Sequence, residues 1–337
     1  MTRGASNVSL VTGGAGFIGS HLIERLLERG DRVVVVDDFS TGRRDNLAHL
    51  DGERIELIEG TVGATLGSLA GRRFHEIYHL AASVGVFKVV EQPIETIRNN
   101  VLETSAVLEF AAASGTPMLF ASTSEVYGKS SKAPFAEDDD VVYGATIFSR
   151  WSYGCSKAID EFLALAFHRE RGVPILIARL FNTVGPRQVG SYGMVLPRMV
   201  AAALEGKPIE VFGDGRQTRC FCDVRDTVRA LMALLSNRTC AGEVFNVGRD
   251  EPISIADLAQ LVRTTLKSDS QIAFVPYDSA YGKGFDDLRH RQPDLTKLRK
   301  AIDFKPTINL EQTIRDLAAV MSANRAVRSQ REPKIAS

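Results

Sequence analysis

The sequence predicts an α/β protein, a doubly wound parallel sheet with a smaller α/β lobe attached. Three observations predict it. Short apolar runs alternate with longer amphipathic stretches through the first half, the rhythm of βαβ units feeding a parallel sheet. A glycine-rich loop follows the first apolar run and opens a helical pattern. After Asn182 the rhythm changes: Gly185-Pro186-Arg187, Gly206-Lys207-Pro208 and Phe212-Gly213-Asp214-Gly215 punctuate shorter, less regular segments, which marks the second lobe.

Taken in order, strands are expected over Val8 to Thr12, Arg32 to Val36, Arg54 to Glu59, Glu76 to Leu80, Met118 to Ser122 and Ile175 to Leu180. Helices fill most gaps between them, among them Ser20 to Arg29, Ile94 to Ser114 and Tyr153 to Arg171. A further helix, Asp223 to Leu235, returns to the first domain. The boundaries that follow are 1–181 for the sheet domain with 223–250 rejoining it, 182–222 and 251–324 for the second lobe, and a frayed, polar, basic tail at 325–337.

Composition narrows the function classes. The 337 residues are 44% hydrophobic, enough for a large core, and 41 basic residues balance 41 acidic ones. Zero formal charge argues against nucleic acid and against a polybasic membrane contact. The start, MTRGASN, lacks an apolar signal core and no later stretch stays apolar for a bilayer span, so a cytoplasmic protein is expected. Cys155, Cys220, Cys222 and Cys240 form no CxxC pair and have no nearby His in ligand spacing; no metal site or disulfide framework is expected.

The loop Gly13-Gly14-Ala15-Gly16-Phe17-Ile18-Gly19 has the spacing of a phosphate loop. Gly13 and Gly16 allow a tight turn under a pyrophosphate, Gly19 allows close helix-to-strand packing, and the helix amino terminus faces the phosphates. The second strand, Val33 to Val36, ends in Asp37 and Asp38. A carboxylate there accepts from the adenosine ribose 2′-hydroxyl and repels a 2′-phosphate, which favours NAD over NADP. Arg43 and Arg44 are the dissenting feature, although a solvated loop explains them more simply.

Tyr153 and Lys157, four apart on a helix with an apolar stripe, stack on one face. An ammonium beside a phenol lowers its pKa, so Tyr153 is a candidate acid/base for a sugar hydroxyl. About thirty residues earlier, Ser122-Thr123-Ser124-Glu125-Val126-Tyr127-Gly128 ends a strand on the side where doubly wound sheets bind ligands.

These segments, with His79-Leu80-Ala81-Ala82, Arg179-Leu180-Phe181-Asn182 and Gly185-Pro186-Arg187, resemble the nucleotide-sugar epimerase, dehydratase and decarboxylase branch of the extended short-chain dehydrogenases/reductases, from about Val8 to Ile314. The resemblance implies a Rossmann sheet holding NAD along Gly13, Gly16, Phe17, Ile18, Gly19, Asp37, Asp38, Leu80, Ala81 and Ala82, with a nucleotide-sugar-binding lobe above it. It gives Thr123 a hydroxyl role, Tyr153 the catalytic base and Lys157 the nicotinamide ribose. It puts Asn182 and Arg291 at the sugar diphosphate, Arg219 on the nucleotide and Arg187 among the substrate contacts. One departure stands out: the family usually shows Gly-Asp after the third strand, and this chain has Gly60-Thr61.

Members of this branch open with hydride transfer from C4 to NAD, and second-step residues decide the outcome. Glu125 places a titratable group at the C5/C6 end, where simple 4-epimerases carry a small residue. The 4,6-dehydratases often have an aspartate where Ser124 stands. Thr123-Ser124-Glu125 and Arg150, three before the tyrosine, look most like the UDP-glucuronate decarboxylases, with a 4-epimerase as the alternative and a 4,6-dehydratase next. A guanidinium at 150 can receive a carboxylate in a two-pronged pair. The bland readings are a helix-orienting Glu125 and a loop salt bridge at Arg150. A non-catalytic dinucleotide-binding module is disfavoured by the intact Tyr153/Lys157 pair. The helices Ile94 to Ser114 and Tyr153 to Arg171 resemble the pair through which the family dimerises, so a homodimer is expected.

Overall fold

Residue alternation decides how the sheet is covered. In the computed structural model, which describes residues 7–83, 92–190, 194–276 and 288–331, seven strands form one sheet. They are β1 (Val8–Thr12), β2 (Arg32–Asp37), β3 (Ile55–Glu59), β4 (Glu76–His79), β5 (Met118–Thr123), β6 (Ile175–Leu180) and β7 (Val244–Val247). Their order is β7-β6-β5-β4-β1-β2-β3, and every pairing is parallel.

Leu10, Val34, Val36, Ile77 and Phe120 point to one face and pack under the helices Pro93–Ser114 and Ser152–Arg171. Val11, Val33, Val35, Tyr78 and Leu119 point to the other, against Phe17–Arg29 and Val224–Ser236. The period of two along each strand thus builds both apolar layers, each buried side chain contributing about 1.5–3 kcal/mol. The first helix starts at Phe17, three residues before the sequence expectation, because the glycine loop itself forms its first turn.

The second lobe has its own core of Leu196, Met199, Val200, Leu258, Val262, Ile314 and Leu317. Its strands are short: Ile209–Phe212 beside Ile272–Val275, and Thr218–Cys220 between Pro252–Ser254 and His290–Arg291. The tail differs from expectation. Helix Leu310–Arg331 runs on past Asn324, since a helix anchored by Ile314 and Leu317 is already nucleated and extends at little cost; the rest of the expected tail, 332–337, lies outside the described residues. Among the described residues the four cysteines are free, no His/Cys/Asp/Glu group could hold a metal ion, and no helix is long and apolar enough to cross a membrane.

Candidate active site

Strand order reverses at β1, which has β2 on one side and β4 on the other. At such a switch point the loops beyond the carboxyl ends part and leave a crevice. A cavity of about 380 Å³ lies there, lined by the segments that follow each of β1 to β6. Its volume falls in the range of small-molecule sites.

One side of the cavity is backbone. Gly13 has φ +71°, and a Cβ there would come within 2.7 Å of the Ala81 amide nitrogen; a side chain at Gly19 would strike the Gly13 carbonyl. Gly13 therefore has to be glycine for the loop and the β4 segment to close together, and Gly19 for the helix to pack on the loop. Gly16, Phe17, Ile18, Leu80, Ala81 and Ala82 line the same space. Asp37 ends β2, its carboxylate accepting from the amides of Ala15 (2.8 Å) and Phe39 (2.8 Å). These bonds aim it into the cavity, where burial raises its pKa. Asp38 also lines the cavity. Arg43 and Arg44 do not; Arg44 pairs with Glu59 and covers the Phe39 ring, the solvated-loop outcome.

This surface fits a dinucleotide. The glycines leave room for a pyrophosphate against backbone amides, and Asp37 offers an acceptor to a ribose hydroxyl.

At the other end Tyr153 lines the cavity together with Thr123, the last residue of β5, whose hydroxyl works against the rise in the pKa of the phenol. The helix carrying Tyr153 is locked to the sheet from within: Glu161 accepts from Ser122 and holds Arg179 of β6 through two nitrogens. Lys157 corrects a sequence expectation. Its side chain is buried, 3.5 Å from Asp160 and 3.9 Å from the centre of the Phe120 ring, and it does not line the cavity. Tyr153 is accordingly not pulled down by an ammonium. Burial raises its pKa, and the charge of Glu125 adds to the rise. Four-residue spacing put the two Cβ atoms on one face, but Lys157 turns to the carboxylate one helical turn further on.

Glu125 lies between two arginines. Its Oε2 is 2.7 Å from Arg150 Nη1 and its Oε1 2.6 Å from Arg291 Nη1. Burial opposes the charge, yet Arg291 and then Arg150 hold the carboxyl down from 4.5 to about 2. Glu125 is therefore a fixed carboxylate and no proton donor near neutrality. Arg150 and Arg291 line the cavity with it, as do Ser124 and Asn182, whose amide donates to the Cys220 carbonyl (3.1 Å).

Two residues expected at the substrate, Arg187 and Arg219, do not line this cavity. Arg187, with φ +68°, turns away from the cavity and binds Glu24 (2.8 Å), His21 and the Asn46 carbonyl. It clasps the second lobe to the first helix. Arg219 sits in the lobe's three-stranded sheet, paired with Arg291 in register, its Nη1 donating to the Thr218 carbonyl; it does not line the cavity. Other lining residues were not singled out in sequence: Asn99, Glu103, Gln188 and Met194. Buried Asn100 joins the Ser83 amide (2.9 Å) to the Ser156 hydroxyl (3.1 Å), and the sequence signal for it is a polar residue at a core position of a helix.

Comparison with known proteins adds the rest. The family model for GDP-mannose 4,6 dehydratase matches residues 10–317. The chain is 41% identical to a UDP-N-acetyl-alpha-D-glucosaminuronate decarboxylase of Bacillus cytotoxicus, over 91% of this chain and 95% of that one. It is 37% identical to UDP-glucuronic acid decarboxylase 1 of Arabidopsis thaliana, over 90% of this chain and 67% of the relative. Among solved structures, a tyrosine-to-phenylalanine variant of the UDP-glucuronic acid 4-epimerase of Bacillus cereus, with UDP-4-deoxy-4-fluoro-glucuronic acid and NAD, superposes with a TM-score of 0.84 at 29% identity, covering 94% of this chain and 99% of that one.

Proposed function

Because the chain belongs to the GDP-mannose 4,6-dehydratase family of extended short-chain dehydrogenases/reductases, we propose that it is an NAD-dependent enzyme that oxidises C4 of UDP-glucuronate and releases C6 as carbon dioxide. The observation that carries this reading is Glu125 held between Arg150 and Arg291 in the same cavity as Tyr153. An oxidation at C4 alone needs only the tyrosine end. Two guanidiniums beside it are suited to a substrate that carries a carboxylate.

The glycine loop and Asp37 hold the dinucleotide, which when bound accepts the hydride from C4. Tyr153, beside Thr123 in the cavity, would take the proton from the C4 hydroxyl as a phenolate, which the positive charge of a bound nicotinamide would favour against the burial that raises its pKa, and would return one to that oxygen as the bond to C6 breaks. The ketone makes the uronate a β-keto acid, so the electrons of the departing carboxylate move into an enolate. Arg150 and Arg291 together with Glu125 carry a net single positive charge. That charge orients a carboxylate, whereas two unneutralised guanidiniums would hold it against departure. Glu125 stays ionised, so the proton that returns to C5 comes from a water it orients.

Incubation with UDP-glucuronate and NAD tests this by product mass: decarboxylation removes roughly 44 Da where the hydride is returned to C4 and about 46 Da where it stays on the dinucleotide, and epimerisation removes none. A new product of unchanged mass would refute the decarboxylation and leave the oxidation at C4 standing, as in a 4-epimerase. The UDP-N-acetylglucosaminuronate counterpart belongs in the same screen, given the Bacillus cytotoxicus relative.

The reading extends to assembly and location. Ile94 (73% exposed), Leu102 and Phe162 (70%) project from the packed helices Pro93–Ser114 and Ser152–Arg171, an apolar surface suited to a second copy of the chain. A monomeric mass by light scattering at micromolar concentration would refute the dimer. Free cysteines suit a cytoplasmic, reducing compartment.

A further inference from the structure

The cavity has two ends. Tyr153 and Thr123 mark the end where the nicotinamide must meet the sugar, so the adenosine half of the dinucleotide lies at the other, beyond Asp37. There the wall is Gly60, Thr61 and Val62, after β3, with Asn99 and Glu103 from helix Pro93–Ser114. A main-chain hydrogen bond joins this wall to the end of β2, Gly60 donating to the Asp37 carbonyl at 3.1 Å. A base on a ribose anchored at Asp37 reaches this wall, since neighbouring strands stand only about 4.8 Å apart.

Thr61 is a weak candidate for reading that base. Its hydroxyl caps the following turn, accepting from the Ala64 amide at 3.4 Å, and Val62 is buried and apolar. Glu103 is different. Its Oε2 accepts from the Gly63 amide at 2.7 Å, which fixes the carboxylate against the β3 loop, while Oε1 has no hydrogen-bond partner among the described residues. A fixed carboxylate with a spare oxygen on the cavity wall accepts from an exocyclic amine and repels a carbonyl at the same ring position.

Resting on the NAD reading above, we propose that Glu103 is the residue that selects adenine, accepting a hydrogen bond from its 6-amino group. The role follows from the tether: Gly63 holds one carboxylate oxygen, so the other is presented in one direction.

Calorimetric titration with NAD and with nicotinamide hypoxanthine dinucleotide, which carries a carbonyl in place of the amine, tests this as binding, apart from turnover. Wild type is expected to bind NAD at least about tenfold more tightly than the hypoxanthine analogue, about 1.4 kcal/mol. Glu103→Gln keeps the size and the Gly63 bond but offers either a donor or an acceptor, and should bring the two affinities to within about twofold. Glu103→Ala should also abolish the preference, its melting temperature reporting separately on the lost tether. A preference unchanged in Glu103→Gln, both affinities moving together, would mean that Glu103 only anchors the loop and would overturn the assignment. Equal binding of both dinucleotides by wild type would overturn it as well. If wild type binds neither, the cofactor reading falls and this inference with it.

Discussion

Replacing Glu125 by glutamine removes one charge from a cluster of three and should change both stability and chemistry. The carboxyl is held at about 2 instead of 4.5. Each tenfold change in an acid constant is about 1.4 kcal/mol, so ionisation of Glu125 stabilises the fold by roughly 3 kcal/mol. Removing one partner of a buried ion pair costs about 3–5 kcal/mol on general grounds, which agrees. The sign follows from a depressed carboxylate: the contribution is complete above the ordinary pKa of 4.5 and is lost as pH falls towards about 2. Guanidinium unfolding should thus show Glu125→Gln less stable than wild type by a constant margin from pH 8 to about pH 5, the margin narrowing below about pH 4.5. In turnover, Arg150 and Arg291 would face the uronate without the Glu125 charge between them. KM should fall, and carbon dioxide release should slow by about tenfold or more, because the carboxylate is now held in the ground state. A margin under about 1 kcal/mol at pH 7 would mean that the pairs are solvated in the manner of surface salt bridges. Decarboxylation at the wild-type rate would refute the balance-of-charge argument.

Three other changes separate the parts of the site. Tyr153→Phe should lower turnover to below about a tenth of wild type while NAD binding by calorimetry stays the same, since the phenol acts on the sugar and the glycine loop holds the cofactor; residual activity above that level would remove Tyr153 from the chemistry. Asp37→Ala should weaken NAD and narrow the preference over NADP, and an unchanged ratio of the two affinities would place the ribose elsewhere. Arg187→Ala should cut the clasp to Glu24 and His21, at about 1–3 kcal/mol, lowering the melting temperature by several degrees with KM for the UDP-sugar unaltered. A raised KM with an unaltered melting temperature would restore Arg187 to the substrate site.

Local rules made much of this molecule legible in its sequence. The valine run ending in Asp37 and the glycines after Thr12 belong to contiguous segments, whose backbone demands act within a few residues; the sheet and the phosphate loop could be read from them. Thr123 and Tyr153 were legible for a related reason, because each stands at the end of one element, and parallel topology sends all such ends to one side. Arginine direction was not legible. Arg150, Arg187, Arg219 and Arg291 looked alike as candidates, and the fold sent Arg150 and Arg291 to Glu125 and Arg187 to Glu24. The side chain is long and every carboxylate within reach competes for it, so only the assembled neighbours settle the outcome. Lys157 obeyed the same rule when it turned to Asp160. Glu103 shows the converse: its sequence position, on a helix far from the glycine loop, carries no mark of a ligand, and it entered the cavity because the strand order brings β3 and that helix to one rim. Sequence by itself thus determined which backbone could cradle a dinucleotide and which hydroxyls stand at the crevice. The tertiary structure decided where each charge ends, because pairing is a contest among groups distant in the chain, settled only once packing fixes which of them are within reach.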